Sequence, residues 1–87
     1  MPDRLKQDIS IGGNLRRLRD ASGLSQEKVA ARLQVMGFSV SREMISQMEL
    51  GHYSIRISIL LAMKEIYNVS SFDEFFSGLS LEEQETL

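Results

Sequence analysis

The 87-residue chain is predicted to be a single all-α domain, a compact bundle of five helices. Three observations predict this. Apolar residues recur at helical spacing: Ile11, Leu15 and Leu18, then Val29, Ala30 and Leu33, then Met44, Ile45 and Met48. Ser25 and Ser41 stand just before two of these stretches, where a Ser oxygen accepts from the free N–H groups of a first helical turn. Gly23 and Gly51 follow helical patterns at points where the chain must leave a helix.

Composition narrows the function classes. Hydrophobic content of 43% and charged content of 25% are ordinary for one small globular domain. The absence of cysteine removes disulfides and thiolate chemistry and fits a reducing, cytoplasmic location. No apolar run approaches membrane-spanning length and no signal-peptide pattern opens the chain, so no membrane contact is expected. One His, no Cys and no paired carboxylates argue against an enzyme, and no cofactor or metal is called for. The net charge of −2 is unevenly spread. Residues 1–56 carry nine Lys/Arg against six acids, whereas residues 57–87 carry one Lys against six. The first half therefore suits an anionic partner, although mixed charge is also what any solvated surface shows.

In chain order, residues 1–9 have weak periodicity and read as a flexible arm, whose balanced charge makes it a poor DNA contact. The first helix is expected from about Ser10 to Ser22, with Gly12 and Gly13 weakening its first turn. Arg16 and Arg17 fall off its apolar stripe and are expected to be solvated. The second helix starts after Ser25 and continues to Val35 or Met36. Met36-Gly37-Phe38-Ser39 forms a turn in which the single aromatic, Phe38, is expected to be buried. The third helix runs from about Arg42 to Leu50, and the fourth, with a wide apolar arc, from about Arg56 to Tyr67. Ser71-Phe72-Asp73-Glu74 is a capping-box pattern that should open a short fifth helix through Phe76 or Gly78. Ser80-Leu81-Glu82-Glu83 repeats the pattern and leads a short acidic tail, 80–87, which leaves 10–79 as the domain. Ile59, Met63, Phe72, Phe75, Phe76 and Leu79 exceed what one small core needs, so some are expected to line a two-fold interface.

The stretch Leu24-Ser25-Gln26, with Ala30, Gly37, Ile45 and Glu49-Leu50-Gly51, resembles the helix-turn-helix unit of the phage-repressor family, which includes lambda and 434 repressors and Cro. The resemblance extends from about Ile11 to Phe76. It implies a lambda-repressor-like DNA-binding domain in which helices 2 and 3 form the reading pair. One feature departs from it: seven residues, Gln34 to Val40, lie between Leu33 and Ser41, a lengthened turn in which Val40 should plug the core.

The resemblance also assigns residues. Arg42, Glu43, Ser46 and Gln47 share one outward face of helix 3 and match positions that read base edges. Arg can grip guanine O6 and N7, Gln adenine N6 and N7, and Glu can accept from cytosine N4. On residue types alone, this is the polar face of any solvated helix. Gln26 and Ser41 at helix starts, with His52, Tyr53, Ser54 and Arg56 in the following loop, match phosphate-contacting positions. Arg19 and Glu49 match a structural ion pair between helices 1 and 3. The implied function is sequence-specific recognition of double-stranded DNA by a homodimeric transcriptional regulator, a repressor on a near-palindromic operator. The alternative is an antitoxin or protein-binding anti-regulator with the same fold and a protein partner.

Overall fold

Helix boundaries follow from local chemistry in the computed structural model, which describes Arg4–Leu5 and residues 7–81. The elements are β1 (Arg4–Leu5), α1 (Gly12–Ala21), α2 (Gln26–Val35), α3 (Arg42–Glu49), β2 (Ile55–Arg56), α4 (Ile57–Ile66) and a 3-10 helix (Phe72–Phe76). Ser25 Oγ accepts from the Lys28 N–H at 3.1 Å and Ser41 Oγ from the Met44 N–H at 3.2 Å, so α2 and α3 are capped as their sequences predict. All four α-helices end in the same double backbone bond. At α3, the Gly51 N–H donates to Met48 O and the His52 N–H to Gln47 O, with Gly51 at φ +82°.

The expected fifth helix is instead a five-residue 3-10 helix, so the described residues hold four α-helices and one tighter turn. Only six residues separate Ser71 from Gly78, too few for two α-helical turns with caps. Phe75 is drawn fully into the core, and α1 ties the segment down from outside. Asn14 Nδ2 donates to the carbonyls of Phe75 and Ser77, both at 2.9 Å, and Arg17 Nη2 donates to Glu74 O at 3.2 Å.

The fold also contains a strand pair that the all-α reading lacked. β1 pairs antiparallel with β2, Arg4 opposite Arg56 and Leu5 opposite Ile55. Ile55 is fully buried, and the extended backbone around it is completed by the arm that the sequence presents as flexible. The arm's residues 1–3 and 6, and tail residues 82–87 with the second capping pattern's acids, lie outside the described residues.

The core forms where α1 and α2 pack on α3 and α4 packs on α2. Leu15, Val29, Leu33, Ile45, Met48, Ile55, Met63 and Phe75 are fully buried, each contributing on the order of 1.5–3 kcal/mol of transfer free energy. Val40 plugs the lengthened turn and Phe38 packs half-buried beside it. The turn is internally braced, because Gln34 Nε2 donates to Val40 O at 2.8 Å. Of the six apolar residues expected in surplus, Ile59, Met63 and Phe75 are core residues and Phe72 and Leu79 pack against the core, which corrects the expectation for those five. Of that set only Phe76 stays exposed, and the other exposed apolar side chains include Ile57 and Leu61 on α4, Val35, Met36, Leu50 and Leu81.

Gly12 is more than a weak helix start. A Cβ there would overlap the carbonyl of Glu49, so α1 begins against the C-terminal end of α3 with no room for a side chain. Gly13, one residue on, faces open space. No helix among the described residues is long and apolar enough to cross a membrane.

Candidate nucleic-acid interface

The outward face of α3 is set by what the helix buries. Ile45 and Met48 are buried and Met44 is half-buried against the core. At 3.6 residues per turn this turns Arg42, Glu43 and Gln47 to solvent, with Ser46 half-exposed beside them. Arg42 Nη2 meets Glu43 Oε2 at 3.3 Å, both side chains more than half exposed. Such a surface pair is worth at most about 1 kcal/mol and leaves the guanidinium available to another acceptor. His52 Nδ1 lies 3.2 Å from Gln47 Oε1, a hydrogen bond in the tautomer that protonates Nδ1.

Behind this face, Arg19 and Glu49 meet in a two-point ion pair. Arg19 Nε donates to Glu49 Oε2 at 2.6 Å and Arg19 Nη2 to Glu49 Oε1 at 3.0 Å. The side chains are 11% and 5% exposed. Arg19 Nη1 also donates to Leu24 O at 2.9 Å, so one guanidinium joins α1, α3 and the end of the loop before α2. The hydrogen bond to Glu49 holds the Arg19 guanidinium above its usual basicity, against the opposing effect of burial.

Gln26 joins the same cluster. Its Nε2 donates to Glu49 Oε1 at 3.0 Å, so the amide expected to face a phosphate is anchored inward on the carboxylate. Tyr67 lies near the pair. Its hydroxyl is buried without a hydrogen-bond partner, and burial raises its pKa well above the usual phenol range.

Gln26, Arg42 and Ser46 open onto one cleft of about 500 Å³ floored by Glu49, and Arg16 and Arg19 reach it from α1. Base-facing and phosphate-facing candidates thus share a surface. The hydroxyl of Ser41 serves as the α3 cap. His52, Tyr53, Ser54 and Arg56 form a separate exposed group in the loop and β2. Glu43 and Gln47 remain on the open face of α3, outside the cleft lining.

Two contributors were not legible in the sequence. Gln7 donates from Nε2 to Tyr53 O at 2.6 Å and to Met48 O at 3.3 Å, while its Oε1 accepts from the Ile11 N–H at 3.0 Å. One arm residue therefore fixes the start of α1, the end of α3 and the loop. Arg16 is the other, a cleft residue where only a solvated one was expected. A lone Gln in an aperiodic arm and an Arg off an apolar stripe carry no sequence signal. Among the described residues, no group of His, Asp and Glu is arranged to hold a metal ion.

A helix-turn-helix family model matches residues 15–75. Comparison with curated proteins and with solved structures returned no match.

Proposed function

Because the chain belongs to the helix-turn-helix family of the Cro and lambda-repressor type, a family of DNA-binding regulators, we propose that it represses transcription as a homodimer on a near-palindromic operator. The observation that carries this reading is the polar face of α3. Arg42, Glu43 and Gln47 stand exposed in one row on a helix whose opposite side is locked into the core. Arg42, Glu43, Ser46 and Gln47 are its base readers. Tyr53, Ser54, His52 and Arg56, with the first turns of α2 and α3, hold phosphates and set the register. Gln26 and Ser41 act there through their helix starts, since each side chain already has a partner within the protein.

The homodimer reading rests on Ile57 and Leu61, which are 47% and 51% exposed one turn apart on α4. Two such domains related by a two-fold axis would present their third helices to half-sites about 34 Å apart, one duplex turn. Selection of bound sequences from a random duplex library tests both claims. A near-palindrome with that spacing supports them, and enrichment of no sequence refutes them.

The protein-binding alternative retains one observation. An apolar cleft of about 380 Å³ lies between the arm and the C-terminal segment, lined by Ile9, Ile11, Ile55, Phe76 and Leu79 among others. Co-purification of an unrelated operon partner, with no duplex enriched, would favour it.

A further inference from the structure

We propose that Arg16 grips a DNA-backbone phosphate at the mouth of the cleft between α1 and the N-terminal ends of α2 and α3. The proposal rests on the DNA-binding reading above. Arg16 and Arg42 both line the cleft, one from α1 and one from α3, and their side chains are 71% and 54% exposed. The cleft floor is Glu49, whose carboxylate already accepts from Arg19 Nε, Arg19 Nη2 and Gln26 Nε2. Its charge is neutralised in place, so the floor does not repel an anion. Ser25, Gln26 and Glu27 also border the cleft, which puts the N-terminal end of α2, the end whose dipole favours an anion, at its edge.

Gln26 alone cannot supply the charge that a phosphate needs, because it is neutral and its amide is anchored on Glu49. Arg16 can. Its own partner, Asp20, lies 3.9 Å away on a solvent-exposed side chain, a contact too long and too wet to compete with a two-point guanidinium–phosphate bond. The exposed carboxylate of Glu27 is the opposing group at the rim. Arg17, the next residue, turns the other way and donates to Glu74 O on the 3-10 segment. Two adjacent arginines on α1 therefore face different surroundings, which supplies a control of equal charge.

The test is titration of wild type, Arg16→Ala, Arg16→Lys and Arg17→Ala against the selected duplex and a scrambled one, across a series of salt concentrations. Melting curves first establish that each variant is folded, as expected for exposed helix positions. Arg16→Ala should weaken both duplexes by the same factor and lower the slope of log K against log salt by about 0.9, the loss of one phosphate contact. Arg16→Lys should keep the slope, and Arg17→Ala should match wild type. If the slopes of Arg16→Ala and wild type agree, or if both alanine variants lose slope equally, Arg16 makes no particular contact and the proposal fails alone. If wild type itself binds no duplex, the DNA-binding reading fails first.

Discussion

Truncating Glu49 should be among the costliest single changes in this domain. Glu49→Ala leaves the Arg19 guanidinium nearly nine-tenths buried with only Leu24 O and the exposed, 3.5 Å-distant Asp20 near it. Arg19→Ala leaves a carboxylate 5% exposed with one neutral donor, Gln26. Breaking a buried pair from either side costs roughly 3–5 kcal/mol. At about 0.05–0.15 kcal/mol per residue, 87 residues provide a total of roughly 4–13 kcal/mol, so either variant approaches the limit of folding. Removing both partners strands neither charge, so the double variant should fall short of the summed losses by about 0.5–3 kcal/mol. Urea melts of the four proteins at constant m-value measure this, with Glu49→Gln as a milder substitute if an alanine variant does not fold. The coupling should persist at high salt, because a buried pair is poorly screened. Losses that add within about 0.5 kcal/mol would refute the reasoning and leave the pair a geometric coincidence.

The two adjacent glycines of α1 should respond oppositely to alanine. Gly12→Ala should destabilise by about 1–3 kcal/mol through overlap with the Glu49 carbonyl, while Gly13→Ala should stabilise by about 0.5–1 kcal/mol through helix propensity; thermal melts of equal sign would show that the close approach is absent. Burial raises the Tyr67 phenol above its ordinary value, so the unfolded chain ionises first and stability is lost as pH rises past about 10. Tyr67→Phe, which removes a hydroxyl without a partner, should cost no more than about 1 kcal/mol at neutral pH and flatten that alkaline decline; an unchanged decline would trace it to another group. On DNA, Arg42→Ala should lose about 1–3 kcal/mol on the selected site and less on scrambled duplex, whereas Glu43→Ala should tighten scrambled binding by removing a like charge. Equal losses on both duplexes for Arg42→Ala and Gln47→Ala would mean that α3 does not read bases. Sedimentation should show a dimer that Leu61→Glu dissociates, and a wild-type monomer at high micromolar concentration would count against the two-fold pairing.

Much of the fold was legible because it depends on short-range chemistry. Caps at Ser25 and Ser41, the exit at Gly51 and the apolar stripes of α1 and α3 each involve residues within one or two helical turns. These determine where the helices start and stop and which face each one buries. The spacing of Arg42, Glu43 and Gln47 on the outer face of α3 follows from the same periodicity, since burying Ile45 and Met48 leaves those side chains no other direction. The motif from Leu24 to Gly51 carried the family with it, and the match over residues 15–75 lies within the range it suggested.

Tertiary structure alone decided how distant segments meet, because such contacts leave no periodic trace. The pairing of Arg4–Leu5 with Ile55–Arg56 joins residues some fifty positions apart through backbone groups that every residue possesses. Gln7 bridges three elements through a side chain whose type is common in any loop. Ser71-Phe72-Asp73-Glu74 carries a helix-start pattern, but the pull of Phe75 into the core and the bonds from Asn14 wind it into a 3-10 turn. Gly12 looks like a helix weakness until Glu49 lies against it. Gln26 has the residue type of a phosphate donor, and a carboxylate twenty-three positions later turns its amide inward. Local sequence determined the helices and their polar faces because hydrogen bonds and periodicity act over a few residues. Packing determined which polar groups remain free to meet a partner, because only the folded chain brings the competing acceptors within reach.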